Sequence, residues 1–149
     1  MFKYIACFSL VAFSSLATSS SLSCGETNFV IADATSAIDP FFKLTIKNSS
    51  LSKSYQFEIQ KDYINIRCEK NSKGVFVILV NHFCGGSGCA DMGNFGIIDA
   101  QTGEMLLEPN QPFKGNLEKA KEIMGKEIKP FACSAESGEV CLHSKIELG

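Results

Sequence analysis

Gly74 is followed by six apolar residues in a row, Val75-Phe76-Val77-Ile78-Leu79-Val80. A strand with one wet face alternates apolar and polar residues, and here that would put Phe or Leu into water. The run therefore predicts a central strand covered on both faces. Any fold for this chain must supply a layer on each side of that strand.

The neighbouring segments read as the rest of a sheet structure. Phe42 to Lys47 and Tyr55 to Gln60 alternate with period two and are separated by the polar stretch Asn48 to Ser54, which predicts a hairpin. Thr27 to Ala32 reads as an opening strand, and Ile64, Ile66 and Cys68 continue the alternation. Asn94 to Ile98 and Glu104 to Glu108 flank Asp99-Ala100-Gln101-Thr102-Gly103. There Asp99 can accept backbone hydrogen bonds and Gly103 can take positive φ, as a type I turn with a glycine bulge requires. Val140, Leu142, Ile146 and Leu148 suggest a last strand. One helix stands out: Asn116 is a suitable N-cap, Leu117, Ala120, Ile123, Met124 and Ile128 recur at helical spacing, and Pro130 ends it. Glu118/Lys121 and Glu122/Lys126 can pair on its wet face, and Gly125 weakens its intrinsic helicity. The expected fold is mainly β, an antiparallel sheet, sandwich or meander, with one amphipathic helix in the C-terminal half.

The first residues carry a different signal. Met1-Phe2-Lys3 precedes the uncharged, apolar stretch Tyr4 to Ala17 and a Ser/Thr tail, the pattern of a signal peptide. The stretch is shorter than the roughly 20 residues that a spanning helix needs, so no membrane span is expected. Small residues at the last and third-last leader positions occur at Ser15/Ala17, Ala17/Ser19 and Ser21/Ser23, which places the cut between Ala17 and Ser23. The expected division is residues 1–23 as leader and 24–149 as one β-rich domain in the periplasm or outside the cell. Acylation of Cys24 is the less favoured alternative, because Ser21 stands where the lipoprotein pattern has a branched apolar residue and lipidation would leave one cysteine unpaired.

Of the seven cysteines, Cys7 leaves with the leader, and Cys24, Cys68, Cys84, Cys89, Cys133 and Cys141 remain. An even set in an exported domain reads as a disulfide framework. Sequence order suggests Cys24–Cys68, Cys84–Cys89 and Cys133–Cys141, one of the fifteen pairings that six cysteines permit. The leader also removes Lys3 from the 14 basic residues, which already face 16 acidic ones. The mature chain is thus net acidic, which disfavours nucleic acid or anionic membrane as its main partner.

Cys84-Gly85-Gly86-Ser87-Gly88-Cys89 follows the buried run and His82-Phe83, and precedes Ala90-Asp91-Met92. Glycines make a loop costly to order, and a small disulfide ring offsets part of that cost. Residues that flex, held by a bond that restrains them, suit a loop shaped in advance for a partner. The plain alternative is a tight strand connection with no binding role.

Sharper chemistry is harder to support. Ser87 lies in Gly85-Gly86-Ser87-Gly88-Cys89, where Cys89 stands in place of the second glycine of the nucleophile elbow, and no helix follows directly. Four residues between Cys84 and Cys89 depart from the two-residue spacing of thioredoxin-like redox pairs. His82, Cys84, Cys89 and Asp91 could gather a metal only if the two thiols stayed reduced. No catalytic residue, metal or cofactor is assigned. His143 reads as a surface residue, and Asn48-Ser49-Ser50 as a chance match to a glycosylation acceptor.

Val77 to Leu107 resembles small exported proteins of Gram-negative bacteria that share a buried strand, a Cys-Gly-x-x-x-Cys loop and Ile-Ile-Asp-x-x-Thr-Gly. Cys84, Gly85, Cys89, Ile97, Ile98, Asp99, Thr102 and Gly103 carry the likeness. The apolar sequence leading into Gly86-Ser87, together with Cys133-Ser134-Ala135-Glu136-Ser137 and Cys141, is similar to periplasmic immunity proteins against type VI secretion amidases. In that family a serine-bearing loop plugs the hydrolase cleft. The Cys84/Cys89 bracket and the extra glycine depart from its pattern.

The resemblance implies a non-catalytic inhibitor or immunity protein whose partner is a secreted hydrolase toxin. Ser87 would meet polar catalytic groups, Phe83 and Met92 would give apolar contact, and Asp91 and His82 would form the rim, with Gly85, Gly86 and Gly88 shaping the loop; Phe83, which adjoins the buried strand, reads equally as a core residue. A second copy of the chain is a further candidate partner. The competing expectations are a structural or accessory envelope protein, and a weak hydrolase or thiol oxidoreductase.

Overall fold

The computed structural model describes residues 20–32, 42–57, 64–82, 93–109, 115–133, 136 and 138–141. Nine strands and one helix fall within them: β1 Ser20–Cys24, β2 Thr27–Ala32, β3 Phe42–Lys47, β4 Ser52–Phe57, β5 Ile64–Lys70, β6 Phe76–His82, β7 Asn94–Asp99, β8 Met105–Leu107, α1 Leu117–Met124 and β9 Val140–Cys141. They form two antiparallel sheets, a meander β1-β2-β3-β4 and a second sheet in the order β8-β7-β6-β5-β9. The fold is mainly β, as expected.

Strand β6 lies at the middle of the second sheet, and its two faces feed two different cores. Ile78 and Val80 pack with Phe29, Leu44 and Ile46 of the first sheet, and with Ile64, Ile66 and Ile98 of their own. Val77 and Leu79 turn the other way, joining Phe95, Ile97 and Leu107 under Ala120 and Met124 of α1. The chain therefore builds three layers, sheet on sheet on helix. At roughly 25 cal/mol per Å2 of apolar surface removed from water, each fully buried Ile or Leu stabilises by about 2 kcal/mol, so this double coverage dominates the folding free energy.

The apolar run is not covered along its whole length. Val75 and Phe76 are each 38% exposed, at the turn end of the strand. The Phe76 ring is covered partly by the Lys70 ammonium, 4.5 Å from its centroid, and lies close against Gly25.

The hairpin β7–β8 turns as the sequence predicts. Asp99 Oδ1 accepts from the Gln101 and Thr102 N–H groups, Gly103 N–H donates to the Asp99 carbonyl, and Gly103 adopts φ 62°. The first-sheet hairpin is tighter than expected. Asn48 Oδ1 accepts from the Ser50 N–H, so the turn closes by Leu51 and β4 starts at Ser52. Two groups then stitch the sheets together at this end: the Tyr55 hydroxyl donates to the Gly103 carbonyl, and Asn48 Nδ2 donates to Thr27 Oγ1 and the Gln101 carbonyl. The atom that glycosylation would modify is thus engaged in the fold.

A disulfide joins Cys24 at the end of β1 to Cys68 in β5, across the two sheets. With a sequence separation of 44, the chain-entropy model assigns it about 4 kcal/mol. Cys133 is also disulfide-bonded. Cys84 and Cys89 lie outside the described residues, and Cys141 is described by its backbone, paired with Asn65. The division drawn between Ser23 and Cys24 falls inside β1, which pairs with β2 from Ser20↔Ile31 to Cys24↔Thr27.

Helix α1 ends earlier than Pro130. Gly125 takes the left-handed conformation and donates its N–H to the Lys121 and Glu122 carbonyls, the C-terminal glycine motif rather than a weak interior position. The Met124 carbonyl accepts from Ser72, which fixes the helix end on the β5–β6 turn. Glu118 pairs with Lys121 as expected, whereas Lys126 reaches Glu69 of β5 at 2.9 Å.

The segment after the helix is clamped by Arg67. Its guanidinium donates to Glu69, Glu139 and the carbonyls of Lys129 and Pro130, and lies 4.4 Å from the Phe131 ring centroid. Glu139 also accepts from the N–H groups of Ala132 and Cys133. Burial pushes the Glu139 carboxyl pKa up, but these N–H donors and Arg67 outweigh it, and the net shift is downward from 4.5. A carboxylate with a depressed folded pKa stabilises above its unfolded pKa, and that contribution disappears as pH falls through the folded value. Glu139→Gln is therefore expected to cost about 1–3 kcal/mol in urea unfolding at pH 7, and to converge on wild type in acid, as the pH falls through the folded pKa of Glu139. An equal deficit at pH 7 and in acid would contradict the clamp.

Candidate functional site

Antiparallel pairing of β6 with β7 runs to its last rung at His82↔Asn94. Residues 83–93 therefore leave and re-enter the sheet at directly opposed positions, on its two most enclosed strands. Most hairpins close with two to five residues, so this connection is unusually long for its place. Phe83, Gly85, Gly86, Ser87, Gly88, Asp91 and Met92, with Cys84 and Cys89, lie outside the described residues. The root that carries them is described on both sides.

On the side facing the first sheet, His82 is buried, and the Asn94 amide nitrogen sits 3.2 Å from its Nδ1. Asn94 donates there when the ring carries its proton on Nε2. Burial lowers the His82 pKa, which favours that neutral ring. The sequence suggests His82 for the polar rim of the loop; its side chain instead belongs to the interior at the base of the connection. Its place at the end of an apolar strand gave it the look of a loop residue, and the pairing with Asn94 is a tertiary contact that local pattern does not contain.

On the helix side, Asn116 does what its position before α1 does not suggest. Its side chain makes no cap bond to the helix. Its Oδ1 accepts from the Phe95 N–H and its Nδ2 donates to the Phe95 carbonyl, at 2.6 and 2.7 Å, with a longer bond to the Glu108 carbonyl. β8 ends at Leu107, opposite Ile97, so on the side away from β6 the β7 backbone at Phe95 has no strand beside it. The amide of Asn116 replaces that missing strand with one donor and one acceptor. Its own N–H donates to the Gly93 carbonyl, which ties the returning end of the connection to the start of the helix.

Two further amides lie in the same cross-strand row. Asn65 and Asn81 pair across β5 and β6, and Phe95 pairs with Asn81. Both are buried, and the Oδ1 of each has no hydrogen-bond partner. A buried unpaired acceptor costs about 1–3 kcal/mol, so this row keeps polarity at the root at the expense of stability. The sequence shows Asn65 and Asn81 as ordinary polar positions of alternating strands and gives no sign that they meet.

A concavity opens at the opposite, turn-bearing end of the sandwich. It has a volume of about 550 Å3 and lies between Glu26, Asn48, Ser49, Gly74, Phe76 and Gln101. Among the described residues no three His, Cys, Asp or Glu side chains gather to hold a metal. No helix among them is long and apolar enough to cross a membrane.

Comparison with protein-family models, with curated proteins and with solved structures finds no match to this chain.

The role of Asn116 separates two substitutions that a helix cap would not. Asp is as good an N-cap as Asn, but it lacks the N–H that the Phe95 carbonyl requires. Asn116→Ala and Asn116→Asp are both expected to lower stability by about 2–3 kcal/mol in urea unfolding. An aspartate variant as stable as wild type would return Asn116 to a capping role.

Proposed function

We propose that this chain is an exported, non-catalytic binding protein, and that the β6–β7 connection enters the cleft of a secreted hydrolase of the cell-wall amidase class. The observation that carries this reading is the root. A long, glycine-rich connection springs from the two most enclosed strands and is held by Asn94 on one side and Asn116 on the other. A binding loop gains affinity when its ends are fixed before contact, because less freedom is lost on docking. A Cys84–Cys89 bond would extend that restraint into the loop itself. Gly85, Gly86 and Gly88 let the backbone approach a narrow cleft closely, and Ser87 offers a hydroxyl to polar groups within it. Phe83 and Met92 supply apolar contact at the flanks, and Asp91 the polar edge.

The partner class comes from the resemblance to immunity proteins against type VI secretion amidases, in which a serine-bearing loop acts as a plug. The alternative of a purely structural envelope protein draws on the Cys24–Cys68 staple, which serves stability without any partner. It does not account for the length of the connection or the unpaired Asn65 and Asn81 amide oxygens at its root.

The test uses the full-length protein as bait in a periplasmic extract, with bound cell-wall hydrolase activity as readout. Wild type is expected to retain that activity, and Ser87→Trp, folded to the same thermal midpoint, at least tenfold less. Equal retention by both would overturn the plug.

A further inference from the structure

The inward face of the first sheet is laid down in rows that cross its strands. One row runs Leu22, Phe29, Ile46, Lys53, each residue opposite the next in the pairings of β1 with β2, β2 with β3 and β3 with β4. Phe29 and Ile46 are wholly buried in the inter-sheet core. The two ends of the row differ in kind. At the β4 edge it stops in an ammonium, since Lys53 lies with its stem close to Gly103 of the second sheet and remains exposed. At the β1 edge it stops in Leu22, which packs on the core and is only partly buried.

An edge strand offers unpaired backbone N–H and C=O groups to any second strand, and a charge in the inward phase blocks that addition because the new strand would cover it. Lys53 gives β4 that block. The edges of the second sheet are short: β8 has three residues, with Pro109 two positions on, and β9 has two. β1 has neither device. Ser20–Cys24 contains no charge and no proline, pairs with β2 at every position, and exposes Ser21 and Ser23 on its outward side.

We infer that the free edge of β1 is a pairing surface for a second copy of this chain, joined antiparallel about a two-fold axis at Leu22. That register sets Leu22 opposite the second copy's Leu22, and Ser21 opposite the second copy's Ser23. Inward residues then meet inward residues, and the apolar row continues from one protomer into the next, with a lysine at each far end. A second copy fits because no charge in β1 meets itself, and because the axis falls on the partly buried leucine. Pairing β1 with the β4 of another copy would cover Lys53 and, being head-to-tail, would not close. A single strand pair is a small interface, so the dimer is weak, with a Kd on the order of 100 µM.

The test is sedimentation equilibrium from about 10 µM to about 1 mM, on protein purified from expression of the complete chain, with its amino terminus sequenced. Two variants probe the register. Ser21→Lys with Ser23→Lys sets like charges opposite each other across the axis, and Ser21→Lys with Ser23→Glu sets opposite charges there. Both remove the same Ser23–Asn28 hydrogen bond, so any loss of fold is shared. Wild type is expected to dimerise over this range, and the lysine–lysine variant to bind itself about tenfold more weakly than the lysine–glutamate variant. A wild-type monomer at every concentration would overturn the inference, as would equal association of the two variants. A purified chain that begins after Ser23 would overturn it as well, because it lacks the strand.

Discussion

The structure depends on β6 being apolar on both faces. A strand that places Ile78 and Val80 on one side and Val77 and Leu79 on the other cannot sit at a surface, because either face in water would forfeit several kcal/mol. One face takes the first sheet and the other takes α1 with the residues that follow it. The short helix has little stability of its own at eight residues, and the apolar row beneath it holds it in place. The remaining contacts keep these layers in register. Cys24–Cys68 crosses between the sheets, Tyr55 and Asn48 tie their turns, and Arg67 gathers the segment after the helix onto β5.

That arrangement buries the ends of β6 and β7 between the layers. His82 and Asn94 close the pairing on the inner side, and Asn116 completes the β7 backbone on the helix side. Whatever residues 83–93 do, they do it from ends that are held by both cores. This is the physical basis for regarding the connection as a recognition element. The buried amides of Asn65 and Asn81 reinforce it, since unpaired acceptors are kept in a fold where something other than stability is at stake.

Much of the scaffold is legible in the sequence because it rests on local patterns. The double-sided β6, the alternation of β2, β3 and β5, and the Asp99–Gly103 turn each follow from residues within one segment. The Cys24–Cys68 pairing follows from order along the chain. What could not be read is where one residue type serves an unfamiliar partner. Ser20–Cys24 looks like the tail of a leader and is an edge strand, because small polar residues suit both. Asn116 has the credentials of a cap and spends its side chain on a neighbouring strand. Arg67 occupies the polar phase of β5, which suggests a wet face, yet a later segment folds over it and buries it. Gly125 weakens a helix in propensity terms and in the fold ends one. Each case turns on a contact between distant segments, to which composition and periodicity are blind.

Hydrogen exchange followed residue by residue tests the rigid root most directly. Amides held by both cores should open only with global unfolding, whereas turn amides open locally. The account predicts that Asn81, His82, Asn94 and Phe95 exchange as slowly as Ile78 and Leu79 in mid-strand. Exchange at those four positions as fast as in the exposed turn at Ser72 to Gly74 would contradict it, since a loop on a fraying base has no advantage in binding.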